Sequence, residues 1–352
     1  MTLELAVPTT DEEHAIKREK VLAILDDKGH DALLLRSAAA VNWYLEGART
    51  HVSLAADPVV AIRITREHDE ILATDNEIER LRAEELPSGA IVVTRAWHEP
   101  LMSADALDEK EVEAELRAAR RVLLPLEAER YRRLCADTAA LLTDALHAAT
   151  PDQTELDLAA DLAGRVTRSG SEALVVLVGG ASRSSYRHPL PTLAPLGRYV
   201  MAVVCARRHG LIANVTRIVR FGSATLQERR AEHGILQVEA DVLDALRHGQ
   251  TLGFVLGTAA RGYPRHGFDS DEWLRHHQGG AAGYAGRDPR ATPESPDRVA
   301  VGQAFAWNPS CYRAKVEDTV LLTPEGIEVL STDPRWPSRD VRGRRRPDVL
   351  VR

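Results

Sequence analysis

The sequence has little of what marks several protein classes. Its three cysteines, Cys135, Cys205 and Cys311, lie far apart in 352 residues and form no CxxC pair, which excludes a disulfide framework or a zinc ribbon. No stretch reaches the roughly 18 uninterrupted apolar residues that a membrane helix needs. The opening "MTLELAVPTTDEEHAIKREK" has no apolar core of the kind a secretory signal carries. Basic residues do not exceed acidic ones: 45 Lys and Arg, nearly all arginine, stand against 52 Asp and Glu, a formal charge of −7. These absences predict a cytoplasmic protein that engages neither nucleic acid nor membrane. What is present is ordinary for a globular chain with a sizeable core: 44% apolar and 28% charged residues. The length suggests two domains or one large one.

Helix and strand signals alternate over the first third. Residues 11 to 28 read as an amphipathic helix ended by a left-handed cap at Gly29. The stretches "DALLLRS", "PVVAIRIT", "EILATD" and "AIVVTRAW" read as strands, with "NEIERLRAEE" as a helix among them. Residues 1–123 therefore form an α/β domain on this reading. Two long helices follow, the second opening on Thr154 as N-cap with Asp157 in the place of a capping-box Glu. Strands then dominate, interrupted by two more helices, and give an α+β domain over 124–335. The basic run "RGRRRP" (Arg342 to Pro347) reads as part of a solvated, frayed tail over 336–352. "GRDPRATPESPDR" (Gly286 to Arg298) is a polar loop suited to a rim or lid, and its Arg287 and Arg290 suit a substrate carboxylate.

From about Leu124 to Ser331 the chain resembles the pita-bread hydrolases: methionine and Xaa-Pro aminopeptidases, prolidase and creatinase. The resemblance is carried, in order, by "TPDQTELDLAA", "HPLPT…LGRYVMAVV", "ANVTRIVRFG", "HHQGG" and "VEDTVLLTPEGIEVLS". "VNWYLEGART" (Val41 to Thr50) is similar to a stretch of the creatinase-like N-terminal domain. The implied fold is a pita-bread domain, helices packed on a curved and mainly antiparallel sheet, behind a smaller α/β domain. A homodimer is also implied, with a neighbouring subunit roofing the site.

The metal-dependent members of that family hold two divalent ions with two Asp, one His and two Glu. The Asp-x-Thr-Arg motif is matched here by "NVTR", which puts Asn214 at the second Asp and Val203, eleven residues earlier, at the first. "HQGG" puts His277 at the metal His, with His276 as a second choice; "WNPS" puts Asn308 at the first Glu; "KVEDT" retains the last as Glu317. The three lost ligands were all carboxylates. Two dications need anions to offset their burial, so the resemblance implies no dinuclear centre and no cofactor. A single zinc on Cys205, His277 and Glu317 remains open.

Creatinase, the metal-free member, uses a His as acid and base, and His188 in "YRHPLPT" resembles it, with Tyr186 as the alternative alignment. An imidazole there can take and return a proton near neutrality. The expectation is a metal-independent hydrolase cleaving a C–N bond in a small molecule or short peptide. His188, His277 and Glu317 are its catalytic candidates, and Asn214, Asn308, Tyr284, His276 and Arg217 its substrate-binding ones. Two rivals stand beside it: an inactive relative that binds a peptide or protein, and a metallo-aminopeptidase with atypical ligands. For Glu317 and Asp318 the plain reading is ion pairing with Lys315 or Arg217 on the sheet. "GGASRSS" (Gly179 to Ser185) reads as a flexible connection or an anion-binding loop.

Overall fold

The computed structural model describes residues 11–352. The chain divides into two compact units, one running to Leu124 and taking in Arg208–Leu211, the other holding Pro125–Arg207 and Ile212–Arg352.

The first unit follows the alternation in its sequence. Helix α1 (Asp11–Lys28) stops where Gly29 takes a φ of 68°. Then come β1 (Ala32–Leu35), α2 (Ala38–Tyr44), β2 (Val60–Thr65), β3 (Asp69–Thr74), α3 (Ile78–Glu84), β4 (Ile91–Arg95), β5 (Leu107–Asp108) and α4 (Glu113–Arg120). The strands form one sheet in the order β4-β3-β2-β1-β5, with Leu34, Ala61 and Leu72 packed on one face. Three elements escape a sequence reading: α2 is only seven residues long, β5 is only two, and α4 carries few apolar side chains, with Leu116 its buried hydrophobic anchor.

The second unit opens with α5 (Pro125–Ala148) and α6 (Glu155–Arg168). The capping box forms as expected: Thr154 Oγ1 accepts from Asp157 N at 3.1 Å, and Asp157 Oδ2 accepts from Thr154 N at 3.3 Å. After them lie β6 (Glu172–Gly180), β7 (Tyr199–Arg208), β8 (Leu211–Arg220), α7 (Leu226–Ala245), α8 (Leu252–Arg265), β9 (Gly279–Ala282) and β10 (Ala304–Trp307). The chain ends through β11 (Ser310–Cys311), β12 (Ala314–Lys315), β13 (Asp318–Thr323), β14 (Gly326–Val329), β15 (Ser338–Val341), β16 (Arg344–Pro347) and β17 (Leu350–Val351). Two four-stranded sheets result, β17-β8-β7-β6 and β14-β13-β10-β9. At the turn between β7 and β8, His209 and Gly210 both have positive φ, which matches the twist of a two-residue hairpin. An apolar cluster including Val255, Phe305, Trp307 and Val320 joins α7 and α8 to the second sheet. Helix and sheet together make the unit α+β.

One expectation is corrected. Residues 336–352 are not a frayed tail: β15 and β16 pair with each other, and β17 extends the β8 edge in parallel. Arg346, from the basic run, is 1% exposed and bridges Glu239 Oε2 at 2.7 Å and Asp318 Oδ2 at 2.8 Å. A basic run looks solvated in sequence because the acids that neutralise it are distant in the chain.

Candidate functional site

The β7–β8 hairpin carries the positions where the resemblance implies two aspartates. Tyr199, Met201 and Val203 of β7 pack with Ile218 of β8 and Leu177 of β6 in an apolar cluster. Val203 is thus part of a hydrophobic face. Further along that face the side chains become polar. Cys205 Sγ donates to Asn214 Oδ1 at 3.3 Å, and Asn214 Nδ2 donates to the Ile212 carbonyl at 3.1 Å. The second of these bonds needs an amide, since a carboxylate facing that carbonyl would leave two acceptors opposed.

Arg287, from the polar loop, turns inward between Asn214 and Glu317, two positions where the resemblance implies carboxylates. Its Nη1 donates to Asn214 Oδ1 at 2.8 Å and its Nη2 to Glu317 Oε1 at 2.7 Å. The other Glu317 oxygen accepts from Thr216 Oγ1 at 2.7 Å and pairs with Lys315 Nζ at 2.9 Å. Burial alone would raise the Glu317 pKa, but Lys315, Arg287 and the Thr216 hydroxyl outweigh it and hold the carboxyl far below its usual range. The pairing of Glu317 with Lys315 is the plain sheet reading. Arg287 as an internal counter-ion was not read from the sequence, although a buried carboxylate kept without metal ions requires some cation.

Three imidazoles gather nearby. His188 Nε2 lies 3.1 Å from His276 Nε2, and His277 stacks on His276 with ring centroids 4.4 Å apart and on His188 at 5.7 Å. Donor atoms of all three lie within 4.8 Å of one another. His188 is exposed, His277 half-buried and His276 buried. Burial first, then the surrounding cations, keep the rings neutral: His276 is lowered to about 2 and His277 to about 4, and His188 is also lowered. Lys315 acts on all three, Arg290 on His188 and His277, and Arg287 on His277.

The loop bearing His188 is tied at both ends by one carboxylate. Glu155 accepts from Gly180 N at 2.7 Å and from Thr192 N and Oγ1 at 2.9 and 2.7 Å, and it also pairs with Arg183. The anion bound by the "GGASRSS" backbone is therefore internal. Gly179 is required there, because a Cβ would stand 2.5 Å from Pro189 Cγ. Arg187 pairs with Glu272 in the short 3₁₀ helix Glu272–Arg275, fastening this loop to the segment that delivers His276. Gln278 fixes the far side, its Nε2 donating to the carbonyls of Trp273 and His276 at 2.8 and 2.7 Å. Gly279, at φ 117°, lets β9 approach β10, since a Cβ would meet the Ala306 carbonyl at 2.3 Å.

The remaining candidates are spread more widely. Arg217 is 3% exposed and committed to Asp318 Oδ1 at 2.9 Å and the Ser331 carbonyl at 2.7 Å, so it is a structural counter-ion and not a substrate group. The Tyr284 hydroxyl is turned to Glu127 Oε1 at 2.7 Å. Asn308 donates through its backbone to the Gln278 carbonyl at 2.9 Å, and its Oδ1 is buried without a partner. Tyr186 is 57% exposed, with the Arg183 guanidinium over its ring.

Two ions of the kind the resemblance implies do not fit here. The first ligand position is aliphatic, the second is an amide bonded to a carbonyl and a guanidinium, and the surviving carboxylate is already neutralised by two cations. Nor does a zinc on Cys205, His277 and Glu317: burial pushes the Cys205 thiol up to about 12, and Glu317 is occupied.

Solved structures share this fold. The prolidase from Pyrococcus horikoshii OT3 superposes with a TM-score of 0.75 at 18% identity, over 90% of this chain and 98% of that one. The Xaa-Pro dipeptidase from Bacillus anthracis gives 0.76 at 14%, over 96% and 99%. The N-terminal domain of FACT complex subunit SPT16 from Cicer arietinum gives 0.65 at 11%, over 91% and 96%. No curated protein matches by sequence. The profile of metallopeptidase family M24 does match, over residues 129–324, which is more than half the chain. On that match, this chain belongs to metallopeptidase family M24.

Proposed function

We propose that the protein is a hydrolase that cleaves a C–N bond in a small polar molecule or short peptide, without the two-ion centre of its family, and that His188 moves the proton. The observation that carries this reading is the gathering of three neutral imidazoles around the 3.1 Å contact between His188 and His276. A neutral, accessible His188 can take a proton from water or substrate and return it to the leaving nitrogen. His276 hands its hydrogen bond to or from His188, and His277 lies stacked against both rings. Glu317 serves by holding Arg287 and Lys315, whose charges suit an oxyanion or a substrate carboxylate.

A second reading has its own support. Prolidases and the SPT16 domain share this fold, and Arg287 lies across the position where the family's chemistry would sit. On that reading the chain binds a peptide or protein and turns nothing over.

A mass-spectrometric screen of amides, amidines and Xaa-Pro dipeptides separates the two. We expect turnover that survives exhaustive chelation and falls at least 100-fold in His188→Ala, the scale of a lost acid–base group. Equal turnover by both proteins overturns the role of His188, loss on chelation overturns metal independence, and no turnover at all favours the binder.

A further inference from the structure

We propose that His188, His276 and His277 form a site for one transition-metal ion of the zinc class, sharing only His277 with the ligand set that the family resemblance implies, and that filling it switches His188 off. The site rests on geometry alone; only the switching rests on the function proposed above. Donors sharing a tetrahedral zinc at about 2.0–2.1 Å stand about 3.3 Å apart, and the His188–His276 Nε2 pair is at 3.1 Å. His277 brings a third ring nitrogen within 4.8 Å of the others, and closing the set asks its ring to turn out of the stack on His276. Among the described residues this is the one group of three His, Cys, Asp or Glu donors that converges in this way.

A second observation points the same way. The Nδ1 atom of His277 is buried and bonds to nothing in the protein, which leaves this ring a nitrogen for the third ligand. Buried ring nitrogens without partners are costly unless something satisfies them. Three nitrogen donors and no oxygen donor select zinc, cobalt, nickel or copper, and reject magnesium, calcium and manganese. Lys315, Arg287 and Arg290 face the cluster against the single carboxylate Glu317. That excess of positive charge weakens the binding of a cation and favours an anion, such as hydroxide, chloride or a carboxylate, at the fourth position. With Nε2 of His188 on the metal, its lone pair is no longer available as a base.

The test is a titration of the metal-stripped full chain with Co²⁺, read by visible absorption. We expect the strong bands of a four-coordinate ion saturating at one per chain and displaced by Zn²⁺, while excess Mn²⁺ fails to displace it. Affinity is expected to fall at least tenfold in His188→Ala, and again in His277→Asn as an independent variant. Absence of the bands, two ions per chain, or an affinity equal to the parent's in either variant overturns the site. If Zn²⁺ binds at one per chain yet leaves turnover unchanged, the site stands, and the switching and the proton-transfer role of His188 fall.

Discussion

Two polar clusters lie within the same unit and solve burial differently. Around Glu317 the carboxylate is fully engaged: Arg287 and Lys315 both pair with it, Thr216 adds a hydrogen bond, and Asn214 takes a second arm of Arg287, which leaves the cluster one positive charge in excess and Arg287 Nε buried without a partner. Around His188 nothing is matched: the rings pair with one another, and two buried nitrogens lack partners. In the first cluster the buried carboxylate is held by cations of the chain itself. The second is left with unspent donor capacity, which is what binding or proton transfer requires.

The sharpest way to break this comparison is to unmatch the first cluster. Glu317→Gln leaves Arg287 and Lys315 buried beside a neutral amide. Removing one partner of a buried ion pair costs about 3–5 kcal/mol, and thermal denaturation should show a loss of that size. A variant as stable as the parent would mean that water reaches the cluster and that it is not closed.

Acid tests the second cluster. His276 titrates at about 2 in the folded chain against 6.5 without the fold, so the unfolded state binds the proton first as pH falls. Its contribution to stability is complete above pH 6.5 and is lost progressively below it. Between pH 7 and 5 that loss is about 1–2 kcal/mol, and His276→Asn should flatten the slope. A slope unchanged in the variant would show that His276 is already solvated or protonated.

How far the sequence reveals this depends on the range of each interaction. Helices and strands with local signals are legible: Thr154 with Asp157 announces α6, and Gly29 ends α1. That Val203, Asn214 and Asn308 are not carboxylates, where the resemblance implies them, is legible too, because it is a matter of residue identity at motif positions. The partners that the fold supplies are harder to see. Arg287 is 73 residues from Asn214 and 30 from Glu317, and its loop reads as an outer rim until the fold turns it inward. Arg346 reads as solvated for the same reason, its acid Glu239 being 107 residues away. The imidazole cluster is half legible: each His stands out in its own motif, but the contact between His188 and His276 spans 88 residues.

The smallest expected effect sharpens the boundary between the clusters. Cys205 sits on the hairpin beside Asn214, where a thiolate would turn the closed cluster into a reactive one. Burial, followed by the charge of Glu317, pushes its thiol up to about 12, and Arg287 and Lys315 do not reverse this. At pH 8 it should therefore resist iodoacetamide in the folded chain and react once the chain is unfolded. Replacing it by Ala removes one weak bond, the 3.3 Å contact to Asn214 Oδ1, and a small buried volume. The expected loss is about 1 kcal/mol, with turnover unchanged. Rapid alkylation of the folded protein, followed by inactivation, would move the reactive centre onto the hairpin and away from the histidines.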